Sequence, residues 1–149
     1  MSFAWLRMTV QVSGLRSIDT LVISMYSSQL LDHFEHPRNA GELGKADAYV
    51  RVENPACGDI LELAAIVREG KIAEIRFKAK GCVPAMACGS LITELAEGKL
   101  LAEAAAISRE GVAEKIGGLP PQSGHAAQLA VDALRALVQQ LKAIPQSEG

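Results

Sequence analysis

The apolar residues of this chain change their period partway along. Between residues 48 and 80 they recur at every second position, and beyond Gly81 at every third or fourth. Upstream, Tyr26, Leu30, Leu31 and Phe34 recur at helical spacing until His36-Pro37 ends the run, and Arg38-Asn39-Ala40-Gly41 is turn chemistry. Residues 48–53 alternate as a strand that Asn54-Pro55 closes. Leu61, Leu63, Ala65 and Val67 then alternate with Glu62, Ala64, Ile66 and Arg68. After Glu69-Gly70, the alternation predicts Ala73, Ile75, Phe77 and Ala79 on one face, and Glu74, Arg76, Lys78 and Lys80 on the other. That is a hairpin with one buried and one wet face.

Past Gly81 the pattern is helical. Pro84 suits a first helical position, and Leu91, Ile92 and Leu95 carry the stripe to Gly98. A short pattern covers 100–107, and Ser108 can cap another helix that stops at Gly117-Gly118. Ala126, Ala130, Leu134, Leu137 and Leu141 define a last helix to about residue 143. The expected fold class is α+β: a small three-stranded antiparallel sheet with helices packed on one face. The patterned domain spans 25–143, and 144–149 is a polar tail. Residues 1–24 hold Arg7 and Arg16 around a weak apolar stretch without the uninterrupted core of a signal peptide. They read as a poorly ordered N-terminal extension or, in a second reading, an added strand.

Composition narrows the function. The chain has 149 residues, enough for one domain with a real core. A net charge of −2 gives no reason to expect nucleic acid or an anionic membrane as partner, and 4% aromatic residues leave little for base stacking. No apolar run reaches the roughly 18 residues a membrane span needs. Three cysteines at irregular spacing argue against a disulfide framework and for a reducing, cytoplasmic setting in which thiols bind metal or react.

Two of those cysteines sit at turns beside glycine. Cys57 lies in Asn54-Pro-Ala-Cys-Gly-Asp59, with Asp59 two residues on. Cys82 precedes a predicted helix N-terminus, where free N–H groups favour a thiolate, the species that ligates metal. His125 falls in the first turn of the last helix, where its imidazole can donate a lone pair. Cys88 shares the stripe of Leu91, Ile92 and Leu95, so it reads as core, while His33 and His36 read as surface. Cys57, Asp59, Cys82 and His125 can complete a tetrahedral zinc site, and mixed thiolate and imidazole ligation also holds [2Fe–2S] clusters. Spacing does not choose between them. A cysteine hydrolase on the same residues lacks any sign of an oxyanion hole.

These motifs resemble the U-type iron–sulfur cluster assembly scaffolds, the IscU/SufU/NifU N-terminal family. The resemblance runs from Met25 to about Lys142. It is carried by the opening helix with His36-Pro37-Arg38-Asn39, the Asn54–Asp59 loop, Phe77-Lys-Ala-Lys-Gly-Cys82, and Leu119-Pro-Pro121 with His125. It implies a scaffold or carrier, rather than a catalyst, that receives iron and sulfur, builds a [2Fe–2S] cluster and passes it on. Zinc can take its place. Cys57, Asp59, Cys82 and His125 match the family's ligand positions. The implied partners are a cysteine desulfurase and iron–sulfur acceptor proteins. Two departures stand out. The family's His-Cys pair is His125-Ala126 here, so holding metal is implied more firmly than assembling a cluster. The family's Leu-Pro-Pro-Val-Lys reads Leu119-Pro-Pro-Gln122-Ser123, which weakens the expectation of a chaperone partner. A zinc-dependent sulfur-transfer accessory and a metal-free interaction module stay open as alternatives.

Overall fold

The computed structural model describes residues 26–56 and 58–144. The 1–24 extension, Cys57 and the tail from Pro145 therefore lie outside the described residues. In chain order the elements are helix α1 (Ser28–Glu35), strands β1 (Ala48–Glu53), β2 (Ile60–Arg68) and β3 (Lys71–Lys80), and helices α2 (Val83–Ala96), α3 (Leu101–Ala105), α4 (Arg109–Lys115) and α5 (Gly124–Ala143). A single 3-10 turn, Pro121–Ser123, leads into α5.

The sheet has the order β1-β2-β3, antiparallel throughout, with Ala48 opposite Ala65 and Leu63 opposite Phe77. Its buried face carries Val50, Leu61, Leu63, Ala65, Ile75 and Phe77, and α2 and α5 pack there. This is the α+β arrangement the alternation predicts. One face assignment needs correction. Val67 pairs with Ile72 while Ile66 pairs with Glu74, so Ala73 is the extra residue of a bulge. A bulge shifts the face of everything beyond it by one position. Ile72, fully buried, therefore takes the core place that strict alternation gave to Ala73, which is exposed.

Helix α2 is the hub. It lies against α1, α5 and β3, and its buried residues include Ala85, Ala87, Cys88, Leu91, Ile92, Ser90 and Thr93. Gly89 permits this. A Cβ at Gly89 would lie 2.9 Å from Phe77 Cδ2 and 3.0 Å from Leu61 Cδ1, closer than carbon atoms pack. Every position of the α5 stripe, Ala126, Ala130, Leu134, Leu137 and Leu141, is buried, and Ile144 packs against the same core. Each fully buried Leu or Ile contributes about 1.5–3 kcal/mol of transfer free energy. No helix of the described residues is long and apolar enough to cross a membrane.

His33 is the second correction. It is 6% exposed, not on the surface, because it lies one turn beyond the fully buried Leu30 on the same side of α1. Its Nδ1 is 2.8 Å from Ser90 Oγ and its Nε2 is 3.3 Å from Glu94 Oε1. Ser90 Oγ also accepts the Arg38 N–H at 2.8 Å, and Asn39 Nδ2 donates to Thr93 Oγ1 at 3.2 Å. The turn after α1 is thereby fastened to α2. It also reaches the outer edge of β3, where the Phe77 N–H donates to Asn39 O and the Gly41 N–H to Phe77 O.

Candidate metal centre

The site forms at the end of the sheet where β2 begins and β3 stops. Asn54 organises the loop before β2. Its Oδ1 accepts the Ala56 N–H at 2.9 Å, its N–H donates to Asp59 O at 2.8 Å, and its O accepts the Gly58 N–H at 2.7 Å. Asparagine folding its side chain onto the following backbone is a common way to fix such a turn. The result places Asp59 at the mouth of β2 with its carboxylate only 4% exposed as a residue.

Cys82 arrives from the other strand. It is the N-cap of α2, at the helix start the sequence predicts, with extended backbone; Val83 takes the first helical position and Pro84 the second, one later than expected. Asp59 grips it twice: Oδ1 accepts the Cys82 N–H at 3.2 Å, and Oδ2 accepts the thiol at 3.1 Å. His125, the second residue of α5, supplies the third group. Its Nε2 is 3.4 Å from Asp59 Oδ2 and 4.0 Å from Cys82 Sγ, and its side chain keeps 33% exposure. The pocket thus meets solvent at the imidazole and is walled by protein at the carboxylate.

Donor chemistry and spacing fit one cation. The three ligand atoms all lie within 4.8 Å of one another. A tetrahedral ion bound at roughly 2.0–2.3 Å sets its ligands roughly 3.3–3.8 Å apart along each edge. The separations of 3.1, 3.4 and 4.0 Å bracket that range. Soft sulfur with imidazole and one carboxylate suits zinc or iron and not a hard ion such as magnesium.

Three of the four expected donors, Asp59, Cys82 and His125, are therefore together, and the fourth, Cys57, is outside the described residues. Cys88 is not among them. It is fully buried in α2, and burial, with the neighbouring Cys82 charge, pushes its thiol up to about 12, which keeps it protonated. Ala126, where the resembled family has cysteine, is 1% exposed and belongs to the core.

Two contributors escaped the sequence reading. Gly81 has φ +147°, and a Cβ there would fall 2.6 Å from Asp59 Cγ. Only glycine lets the carboxylate lie beside the strand end; the Gly-Cys pair itself was the available signal. Tyr26, half-buried at the start of the described chain, has its phenol ionisation raised by burial and by the charge of Cys82. Nothing in its spacing points there, because Tyr26 and Cys82 are far apart in sequence.

Comparison with known proteins adds an independent line. Residues 25–148 match the family model described as the NifU-like N terminal domain. The chain is 46% identical over 111 residues to a protein of Archaeoglobus fulgidus named iron-sulfur cluster assembly scaffold protein IscU 1, covering 74% of this chain and 72% of that one. It is 43% identical over 121 residues to the Escherichia coli protein of the name iron-sulfur cluster assembly scaffold protein IscU, covering 78% and 94%. The crystal structure of a nitrogen-fixing NifU-like protein (N-terminal) from Brucella abortus superposes with a TM-score of 0.65 at 17% identity, over 81% of this chain and 96% of that one. At that identity it speaks for the fold alone.

Proposed function

This chain belongs to the NifU-like N-terminal domain family, the U-type scaffolds, and from that premise we propose that it is an iron–sulfur cluster scaffold or carrier. Its cargo is a [2Fe–2S] cluster or the iron that precedes it, held by Cys57, Asp59, Cys82 and His125. The observation that carries this reading is the crowding of carboxylate, thiol and imidazole atoms at spacings a single metal can span. Lone-pair donors so close repel one another unless a proton or a cation is shared between them. Cys82 and Asp59 share such a proton in the thiol hydrogen bond at 3.1 Å, so metal entry is an exchange of that proton for the ion.

The chain's own groups divide the work. Asp59 accepts the thiol hydrogen bond until the ion displaces its proton to solvent, and it orients the sulfur through the Cys82 N–H. The half-open imidazole of His125 is the donor an incoming or departing ligand meets first. Carboxylate and imidazole are weaker ligands for a soft metal than thiolate, which suits a cargo that must leave. Sulfur would come from a cysteine desulfurase and the product would go to iron–sulfur acceptor proteins, in a reducing cytoplasmic setting. The chain acts as a carrier and not as a catalyst. Zinc fits the same four donors and would compete for them.

Anaerobic incubation with ferrous iron and sulfide, followed by gel filtration, elemental analysis and an absorption spectrum, tests this reading. Wild-type protein is expected to retain iron with thiolate-to-iron absorption. Cys57→Ala and Cys82→Ala should each lose it while keeping the helical circular dichroism of the fold. Iron retention that is indifferent to both substitutions would remove the proposed site.

A further inference from the structure

A groove that the proposed cargo site does not use runs from the helix-free face of the sheet around the outer edge of β3 to the start of α2. It has a volume of about 730 Å³, within the roughly 300–1,000 Å³ of pockets that take sizeable ligands and far more than a simple anion fills. Two cross-strand rows build it: Arg51, Glu62 and Lys78 in one, and Ile60 and Lys80 in the next. Ala40, Gly41, Phe77, Ala79, Gly81 and Met86, the last on α2, complete its lining along the β3 edge. Ile60 follows Asp59 and Gly81 precedes Cys82, so the groove ends on the residues that flank two of the donors.

Its charge runs against that of the chain. The whole sequence has a formal net charge of −2, yet Arg51, Lys78 and Lys80 face Glu62 alone among the groove's acids. Lys78 is tied to Glu42 at 2.6 Å, and Arg51 meets Glu53 only at 4.0 Å with both side chains half exposed. Lys80 makes no ion pair among the described residues. Exposed pairs of this kind are weak, so the basic groups remain available to a partner. The outer edge of β3 is already occupied at Phe77 by residues 39–41, so a visiting segment is held by side chains lying over the sheet and not by an added strand.

We propose that this groove binds a short, extended, acidic peptide segment of the protein that takes the cargo, laid across the sheet with one end at the donors. The proposal rests on the carrier reading above. Acidic side chains meet Arg51 and Lys80, and the apolar stretch of Ile60 and Met86 takes the residue between them. The arrangement brings an acceptor's own ligands to the end of the sheet where Gly81 leads into Cys82.

Fluorescein-labelled hexaglutamate, titrated into the full-length metal-free chain at low ionic strength, is the probe. Saturable binding is expected, with amide shifts confined to Glu62 and Lys78–Gly81, and weakening as salt rises. The double variant Arg51→Glu, Lys80→Glu should bind at least about tenfold more weakly, whereas Lys142→Glu on the last turn of α5 should bind as wild type. Absence of saturable binding, or equal binding by the double variant, overturns the proposal. So does a single-stranded oligonucleotide of matched charge displacing the peptide equally well, since the groove would then be a general polyanion surface. Iron retention is measured separately on both proteins. A wild type that binds peptide but no iron refutes the carrier reading and leaves the acidic-peptide groove intact, whereas the reverse refutes the groove alone.

Discussion

Among the described residues, two polar clusters set into the fold are built on opposite terms. Around His33 every polar group has a fitting complement. The ring meets Ser90 at 2.8 Å and Glu94 at 3.3 Å, Ser90 meets the Arg38 N–H at 2.8 Å, and the Thr93 hydroxyl donates to Ser90 O at 2.7 Å. Around Asp59 the groups are three lone-pair donors at 3.1 to 4.0 Å. The first cluster is complete as protein and fastens α1 and its turn to α2. The second has the composition of a ligand sphere, at the end of the sheet where β2 begins and β3 stops. Burial of polar groups alone does not mark a functional site; what distinguishes one is donors of a single kind converging on a point.

The sharpest way to break that contrast is Gly81→Ala. Its φ of +147° and the approach of Asp59 make the substitution costly at the backbone, about 1–3 kcal/mol, and force the carboxylate away from Cys82. Groups that orient ligands typically change metal affinity by roughly 10–100-fold, and a loss of that order in iron or zinc affinity is expected by competition with a chromophoric chelator. Undiminished affinity would mean that Asp59 plays no part in holding the ion.

Ser90→Ala tests the other half. It removes the partner of both the His33 ring and the Arg38 N–H inside the core, an expected loss of about 1–3 kcal/mol in urea unfolding. Metal affinity of the protein that remains folded should not change. A Ser90→Ala chain that binds metal more weakly would join the two regions that the geometry separates.

How much of this could be read from the residues differs between the regions for the same reason. Strand alternation, the break at Asn54-Pro55, the Ser108 cap and the α5 stripe are local patterns, and each element sits where the pattern puts it. Cys82 at a helix start and His125 in a first turn are local too, so their readiness as donors was legible; donor chemistry grouped them with Cys57 and Asp59, and the family resemblance matched the same four positions. The bulge at Ala73 was not legible, because it depends on how Val67 and Ile72 meet across the hairpin. Nor was the burial of His33, which is decided by α2 packing over α1. Its spacing from Leu30 was the one available sign. Gly81 carried its meaning only once Asp59 was known to lie beside it.

The finest test of the comparison is pH, because it acts on His33 as a titrating group in a satisfied cluster. Burial, and then the Arg38 charge, hold its ionisation below the ordinary 6.5, while the charges of Glu94 and Asp32 work the other way with smaller effect. A histidine whose folded value is depressed adds stability above the unfolded value and loses it as pH falls through the folded one, since the unfolded chain takes the proton first. Below about pH 6.5 the stability attributable to His33 should therefore decline, with a slope no steeper than about 1.4 kcal/mol per pH unit, and level off once both states are protonated. His33→Gln, which keeps hydrogen bonding without the titration, isolates that contribution. The difference in unfolding free energy between wild type and His33→Gln should shrink from pH 7 to pH 5, whereas His125→Gln should leave the wild-type slope from His33 in place. A difference that stays constant over that range would show the ring to be no more buried in solution than an ordinary surface histidine, and the line drawn between a finished cluster and a waiting one would lose its firmer side.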